Sequence, residues 1–129
     1  MATRINNFKD LIVYKKAFEQ AMKIFYLTKK FPPDEKYSLT DQIRRSSRSI
    51  CTNIGEAWRK RRYSAHFVSK LTDSDAETSE TIIWLDFALE CDYLGSAVYR
   101  ELASKYEQIG KMLGSMISMP EKFCYSEKK

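Results

Sequence analysis

Residue types that build turns, disulfides and metal sites are scarce in this sequence. Its 129 residues include only 4 Gly and 3 Pro, which favours a few long helices over many short strands. The 3 Cys are odd in number and widely spaced, so they fit free thiols in a reducing cytoplasm better than a disulfide framework. The sequence has no run of about 18 apolar residues, so we expect no segment that spans a bilayer. It also has no apolar segment near the first residue, which argues against secretion. We therefore expect a cytoplasmic protein with one domain over residues 1–129.

The motifs of common catalytic sites are also missing. The sequence has no glycine-rich phosphate loop, no nucleophile elbow and no paired-cysteine motif. Four acids between residues 73 and 80 suggest a di-metal carboxylate centre, but that chemistry uses Glu-x-x-His pairs and the chain has only His66. A cysteine nucleophile at Cys51 or Cys91 would need the same single histidine as its base. We predict no catalytic activity, no metal and no cofactor.

The charge is distributed unevenly along the chain. The formal net charge is +5. Residues 44–62 contain seven bases and one acid, whereas residues 73–92 contain seven acids and neither Lys nor Arg. We therefore expect two surfaces of opposite sign on one small molecule.

Apolar residues recur at spacings of three and four over four stretches, which is the period of an α-helix. The predicted helices cover residues 8–30, 38–62, 64–91 and 96–119, and a tail follows over 120–129. Asn7 and Asp10 have the spacing of a capping box at the first helix. With 43% hydrophobic residues, the chain can form a substantial core. Four helices with short connections predict an all-α, up-and-down four-helix bundle.

Each predicted helix carries one stripe of residues for the core. In the first helix the stripe is Leu11, Tyr14, Phe18, Ala21, Phe25 and Thr28, and Ala17 and Ile24 widen it. In the second it is Ile43, Ser47, Ile50, Ile54 and Ala57. In the third it is Phe67, Leu71, Ser74, Thr78, Thr81, Leu85 and Ala88. In the fourth it is Val98, Leu102, Ile109, Leu113 and Met116, with Tyr106 at its margin.

The second helix has two further faces. A polar stripe lies beside its core stripe and consists of Gln42, Ser46, Ser49, Asn53 and Glu56. Buried polar groups in bundles fix register and partner choice, which we favour over a catalytic trio of Gln42, Asn53 and Glu56. Small residues opposite the stripe, such as Ser74 and Thr78, permit hydrogen bonds and close approach. Gly55 costs about 1 kcal/mol relative to Ala inside a helix, so either a neighbouring helix comes close there or the helix bends, and we favour the close helix.

The remaining face of the second helix is basic, and we call it the basic face. It consists of Arg44, Arg45, Arg48, Arg59, Lys60, Arg61 and Arg62. Such a run is either a solvated helix face or a surface that binds nucleic-acid phosphates, and both interpretations remain open. Trp58 and Tyr63 lie within the run, where base stacking is possible. No recognition helix or zinc finger is present, so binding would follow backbone and shape rather than base sequence.

One pattern of residues extends over most of the chain. It includes Phe8, Asp10-Leu11, Val13-Tyr14, Ala17, Phe31-Pro32, Glu35, Leu39-Thr40, Gln42-Ile43-Arg44-Arg45, Ser49-Ile50, Asn53-Ile54, Glu56, Phe67, Ser74, Glu77 and Tyr93-Leu94. This pattern resembles the 23S ribosomal RNA intervening-sequence protein family. The resemblance implies a small four-helix bundle that assembles into a ring-shaped homopentamer. It also implies a link to nucleic acid, because the family's genes can lie within ribosomal RNA intervening sequences and similar bundles serve as accessory subunits of retroelement reverse transcriptases.

Opposite charges on two faces suit head-to-tail contacts between subunits. The candidates for meeting the bases of a neighbouring copy are Asp73, Glu77 and Glu80. We therefore expect a non-catalytic homo-oligomer that binds structured RNA or DNA through the basic face, or that holds a nucleic-acid enzyme on its template. The alternative is a protein-interaction scaffold in which subunit contacts use the basic face and no nucleic acid binds.

Overall fold

The computed structural model describes residues 5–125, which form four α-helices and no strand. The helices are α1 (Ile12–Thr28), α2 (Leu39–Arg59), α3 (Ser64–Glu90) and α4 (Ser96–Ser118). Three short 3-10 turns lie at Phe8–Asp10, Pro33–Glu35 and Pro120–Lys122. The prediction of an all-α chain with four helices is confirmed over the described residues.

The four helices pack around a shared core, each one beside its neighbours in the chain. α4 also packs on α1, so α1 and α3 lie diagonally across the core, as do α2 and α4. Contacts between α2 and α3 show that they are antiparallel, because Ser46 meets Thr81 while Ile50 meets Ser74. The connections over residues 60–63 and 91–95 are short. Up-and-down packing around one core follows from these contacts.

The core stripes predicted for α2 and α3 are confirmed, since every residue of both stripes is buried. In α4 the prediction is partly wrong. Val98 is 39% exposed, whereas Tyr106, predicted at the margin, is fully buried. The residues Leu102, Ile109, Leu113 and Met116 are buried as predicted. Tyr106 lies one turn from Leu102, on the side that faces the bundle centre.

The core stripe predicted for α1 is wrong in part. Phe18 is 52% exposed, whereas Ala17 and Ile24, predicted to widen the stripe, are buried. Val13 and Gln20, which the predicted stripe lacks, are buried as well. Apolar residues surround α1 almost completely, so two adjacent stripes satisfy the same spacing rule. Small side chains such as Ala17 allow the backbone of α1 to pack closely, and the aromatic residues lie outside.

The ends of the helices also differ from the predicted ends. Asn7 and Asp10 do form a capping box, but it caps the start of the 3-10 turn at Phe8–Asp10 rather than the start of α1. Leu11 then has φ −66° and ψ 131°, which is extended, and α1 begins at Ile12. α2 ends at Arg59 instead of Arg62, because Lys60 leaves the helical region with φ −100° and ψ 14°.

Part of the predicted tail packs on the bundle. The 3-10 turn at Pro120–Lys122 is followed by Phe123, whose ring stacks on Phe67 with 6.1 Å between centroids. Residues 1–4 and 126–129, which the predicted domain and tail include, lie outside the described residues.

Candidate nucleic-acid interface

The residues of the basic face form two clusters at opposite ends of α2. Arg44, Arg45 and Arg48 lie in its first half, whereas Arg59 ends the helix and residues 60–62 form the turn after it. The residues that are exposed are Arg45, Arg48, Arg59, Lys60 and Arg62. Arg44 and Arg61 are half-buried. About 16 Å of helix separates Arg48 from Arg59 at 1.5 Å per residue.

The first cluster surrounds an open, polar groove of about 450 Å³. Its lining residues are Lys36, Tyr37, Thr40, Asp41, Arg44, Arg45, Arg48, Ser49 and Thr52. Tyr37 is 83% exposed at the edge of this groove. Cationic and hydroxyl groups therefore occur together with an exposed aromatic ring, a combination that suits contacts with phosphates and bases.

Phe25 of α1 holds two arginines of the first cluster in place. The guanidinium of Arg44 lies 5.0 Å from the centre of the Phe25 ring, and that of Arg48 lies 5.7 Å from it. Arg44 Nε also donates to Thr28 Oγ1 at 2.8 Å. Cation–π contacts and this hydrogen bond restrict the side chains before any ligand binds.

In the second cluster, Arg61 has partners within the chain. Its Nε donates to the carbonyl oxygen of Trp58 at 2.8 Å, so it satisfies a backbone acceptor at the end of α2. Its guanidinium lies 3.6 Å from the centre of the Trp58 ring and 4.8 Å from that of Tyr125. Trp58 itself is 7% exposed. Of the two aromatic residues considered for base stacking, Trp58 is not available because its ring is buried and covered, whereas Tyr63 is 59% exposed.

A second groove lies beside the second cluster. It has a volume of about 490 Å³ and is lined by Phe8, Tyr14, Cys51, Thr52, Gly55, Glu56 and Arg59. Thr52 lines both grooves, so the two grooves are adjacent along α2. The expected close helix at Gly55 is wrong. The three nearest atoms to an added Cβ belong to the ring of Phe8, at 3.6 to 3.8 Å.

The polar stripe of α2 faces α3. Ser46 Oγ lies 2.8 Å from Thr81 Oγ1, and both residues are fully buried. Either hydroxyl can donate in this pair, because Thr81 Oγ1 also lies 2.9 Å from the Glu77 carbonyl oxygen and Ser46 Oγ lies 3.4 Å from that of Ile43. Farther along, Glu56 forms an ion pair with Lys70 at 3.5 Å.

The three residues considered as a catalytic trio have other contacts. Gln42 Oε1 accepts from Arg45 at 3.4 Å, and Asn53 Nδ2 donates to the carbonyl oxygen of Ser49 at 2.9 Å. About 16 Å of helix separates Gln42 from Asn53. Gln42, Asn53 and Glu56 therefore do not converge on one reacting atom.

The predicted interface acids lie along α3. Asp73 is exposed and pairs with Lys70 of its own helix at 3.7 Å. Glu77 and Glu80 are half-buried. Partial burial and the neighbouring Glu80 raise the pKa of Glu77, although Ser49 and Arg45 of the same chain act in the opposite direction. Glu77 is thus directed toward α2 of its own subunit.

Groups with other possible chemistry lie apart from one another. Burial raises the pKa of Cys51 to about 11, so the thiol is protonated at neutral pH and a weak nucleophile. His66 is exposed, and its ring contacts Tyr63 with 5.3 Å between centroids. Over residues 5–125, no three His, Cys, Asp or Glu residues are grouped to hold a metal ion. None of the helices in this range combines the length and the apolar character needed to cross a membrane.

Comparison with known protein families identifies the fold. A family model described as "23S rRNA-intervening sequence protein" matches residues 9–115. The chain belongs to this family. The match includes α1, α2, α3 and most of α4, and therefore every residue of the basic face. No curated protein matches the chain.

A solved structure agrees with this assignment. It is a crystal structure of a protein of unknown function from the S23 ribosomal protein family of Bacteroides thetaiotaomicron VPI-5482. The two chains are 31% identical and superpose with a TM-score of 0.75, over 83% of this chain and 96% of the other. This 23S rRNA-intervening sequence family member thus shares its fold with a protein whose function is also open.

Several residues at the candidate interface were not found from the sequence. Phe25, which supports Arg44 and Arg48, belongs to another helix, so no local pattern indicates it. Lys36 and Tyr37 were also missed as part of the first groove. A signal for them does exist, because a basic and an aromatic residue stand together directly before α2.

Proposed function

We propose that this protein is a non-catalytic binder of structured RNA or DNA, with the basic face of α2 contacting phosphates. The observation that carries the proposal is the exposure of Arg45, Arg48, Arg59, Lys60 and Arg62 in the first half of α2, at its end and in the turn that follows. Among residues 5–125, none of these side chains has a carboxylate oxygen within 4.0 Å. Their charge is therefore available to a polyanion.

The geometry favours recognition of backbone and shape. The exposed cations lie toward both ends of α2 with grooves beside them, and Phe25 restrains the orientation of one of them, Arg48. Cations arrayed along a helix contact phosphates and do not read base edges. The name of the family connects it with ribosomal RNA, which supports a structured nucleic acid as ligand. A role as accessory subunit that holds a nucleic-acid enzyme on its template is part of this proposal.

The proposal predicts a steep dependence of affinity on salt. If about five phosphates are neutralised per subunit on duplex DNA, log K should fall with log [salt] with a slope of about −4 to −5. Fluorescence anisotropy of a labelled RNA hairpin and a labelled DNA duplex over a salt series measures this slope. Micromolar or tighter binding at low salt is expected for at least one of them.

Two double variants show whether the basic face carries the binding. Arg59→Glu/Arg62→Glu removes two exposed cations of the second cluster. Arg100→Glu/Lys111→Glu changes the net charge equally at exposed positions of α4 and is the matched control. We expect at least a tenfold loss of affinity and a smaller salt slope in the first variant only. Equal losses in both would mean that net charge alone attracts the nucleic acid, against a defined site.

We also propose that the protein is a homo-oligomeric ring, for which the family resemblance favours five subunits. Light scattering at moderate salt measures the mass directly, and a monomer would contradict this part of the proposal.

A scaffold function is the alternative. Its support is that Arg44 and Arg61 already have partners within the chain, while large apolar side chains such as Phe18 and Phe87 are exposed. Absence of nucleic-acid binding even at low salt would favour the scaffold.

A further inference from the structure

The outer side of α1 is apolar although it faces away from the core. Tyr14, Phe18, Met22 and Tyr26 follow one another every four residues, so they form a single stripe on the helix. Phe18 is 52% exposed, Met22 38% and Tyr26 60%. The stripe borders an open groove of about 740 Å³, with Lys15, Glu19 and Lys23 at its edges. We call this surface the α1 outer face.

The outer side of α3 is apolar only near its end, and its shape is different from that of α1. Ile83 is 50% exposed and Phe87 is 54% exposed. In the preceding turns, the outward positions are occupied by small exposed residues: Ser69, Thr72, Ala76 and Ser79. This α3 outer face is thus flat along its first half and bulky near its end, whereas the α1 outer face is bulky throughout.

The two outer faces lie on opposite sides of the molecule. α1 and α3 occupy diagonal positions in the bundle, with the core between them. Exposed apolar surfaces of this kind mark interaction sites. Two unlike patches on opposite sides are suited to heterologous contacts, in which each copy uses one patch on each neighbour, and such contacts form a ring when the rotation closes.

Charge also makes the two faces complementary. Residues 12–30, which include α1, contain five Lys and one Glu. Residues 73–92 of α3 and its end contain seven acids and no Lys or Arg. Contact between α1 of one copy and α3 of the next brings opposite charges together, whereas α1 on α1 or α3 on α3 brings like charges together. The charge pattern therefore favours unlike pairing of the two faces.

We infer that the α1 outer face of one copy packs on the α3 outer face of the next copy. This inference rests on the homo-oligomer part of the proposed function and names its interface. The bulky side chains of α1 meet the small residues of α3, and the lysines of α1 meet the acids of α3. No residue of the basic face of α2 belongs to either outer face, although Tyr14 of the α1 outer face also lines the groove beside Arg59.

Single charge substitutions on each face test the interface. Phe18→Glu places a carboxylate on the α1 outer face, and Phe87→Glu places one on the α3 outer face. Ile12→Glu is the matched control, since Ile12 is 62% exposed on α1 but points to the side of the stripe. We expect light scattering to give monomers for the first two variants and the wild-type mass for the control. Far-UV circular dichroism verifies folding, and Met22→Glu and Ile83→Glu serve as second variants if either protein fails to fold.

Mixing the two variants distinguishes unlike from like pairing. Phe18→Glu retains an intact α3 face, and Phe87→Glu retains an intact α1 face, so an equimolar mixture should form a dimer with one copy of each and nothing larger. If only one variant changes the mass, the interface pairs like faces; if neither changes it, the interface lies elsewhere. Either result, or a mixture that stays monomeric, overturns the inference.

Failure of the inference is separable from failure of the proposed function. A wild-type protein that is monomeric contradicts both the ring and this interface. An oligomeric wild type with unaffected variants contradicts only the interface. Nucleic-acid binding is measured independently with the Arg59→Glu/Arg62→Glu variant.

Discussion

Replacement of Gly55 by Ala should stabilise the protein, although Gly55 lies in the middle of α2. Glycine in a helix interior costs about 1 kcal/mol relative to alanine. An added Cβ would lie 3.6 to 3.8 Å from three ring atoms of Phe8, which is ordinary van der Waals contact. Each such contact contributes about 0.1–0.2 kcal/mol. We therefore expect the free energy of unfolding to rise by about 1 kcal/mol, or roughly 4 °C in melting temperature.

Gly114 provides the matched control. It lies within α4, is exposed, and has no atom within 4 Å of an added Cβ among the residues described. Gly114→Ala should therefore raise the free energy of unfolding only by the difference in helix propensity between Gly and Ala, which is about 1 kcal/mol. Urea denaturation of both variants at one fixed protein concentration measures the gains, because assembly makes stability depend on concentration.

The result that would refute this reasoning is a loss of stability in Gly55→Ala alongside a gain in Gly114→Ala. Such a pair of results would mean that Phe8 or the α2 backbone must shift to accept the methyl group. The same variant also tests whether nucleic-acid binding depends on the shape of the groove or on the cations beside it. Gly55→Ala narrows the groove beside Arg59 but removes no charge, so nucleic-acid affinity should stay within about twofold if phosphates carry the binding.

Three further substitutions test other parts of the structure. Asp92 has φ 62°, a left-handed conformation that favours glycine. Asp92→Gly should therefore raise the free energy of unfolding, measured by urea denaturation, by about 0.5–1 kcal/mol, and a decrease would contradict this. Ser46→Ala and Thr81→Val should show a coupling of about 0.5–1.5 kcal/mol in a double-mutant cycle, and additive effects would mean that their hydrogen bond contributes nothing. Because the pKa of Glu77 is raised, the folded state binds its proton more tightly than the unfolded chain does. The resulting stability is present at acidic pH and is lost as pH rises through the raised pKa. Glu77→Gln should therefore melt higher than wild type at pH 7 but not at pH 4, and an equal difference at both values would contradict the assignment.

The sequence predicted α2 and α3 well because each carries only one stripe compatible with a core. Ser47 and Ser74 fitted these stripes despite being polar, and both are fully buried. α1 was predicted less well because Phe18 and Val13 belong to two stripes of equal apolar character. Only the positions of the neighbouring helices determine which stripe is buried, and periodicity contains no information about them.

The basic residues of the candidate interface were evident from the sequence, but the sequence did not indicate which of them are accessible. The run of bases in α2 was evident, and Arg48 and Arg59 are exposed as a charged helix face requires. The guanidinium of Arg61, however, lies over the ring of Trp58, and Tyr125, near the other end of the chain, contacts the same guanidinium. Partners separated by 64 residues in the sequence depend on the tertiary fold, so local spacing did not reveal them.

The hydroxyl contacts between α2 and α3 have a consequence for motion. Ser46 and Ser74 each form a hydrogen bond between α2 and α3. If one helix slid along the other by one turn, both hydrogen bonds would break. The connection between these helices spans only residues 60–63, so they come together early at little entropic cost. Amide protons in the centre of this hairpin should accordingly exchange with solvent last. Arg45 and Arg48 lie on this part of the hairpin, near the level of Ser46, so there we expect a nucleic acid to adapt to the protein rather than the protein to it.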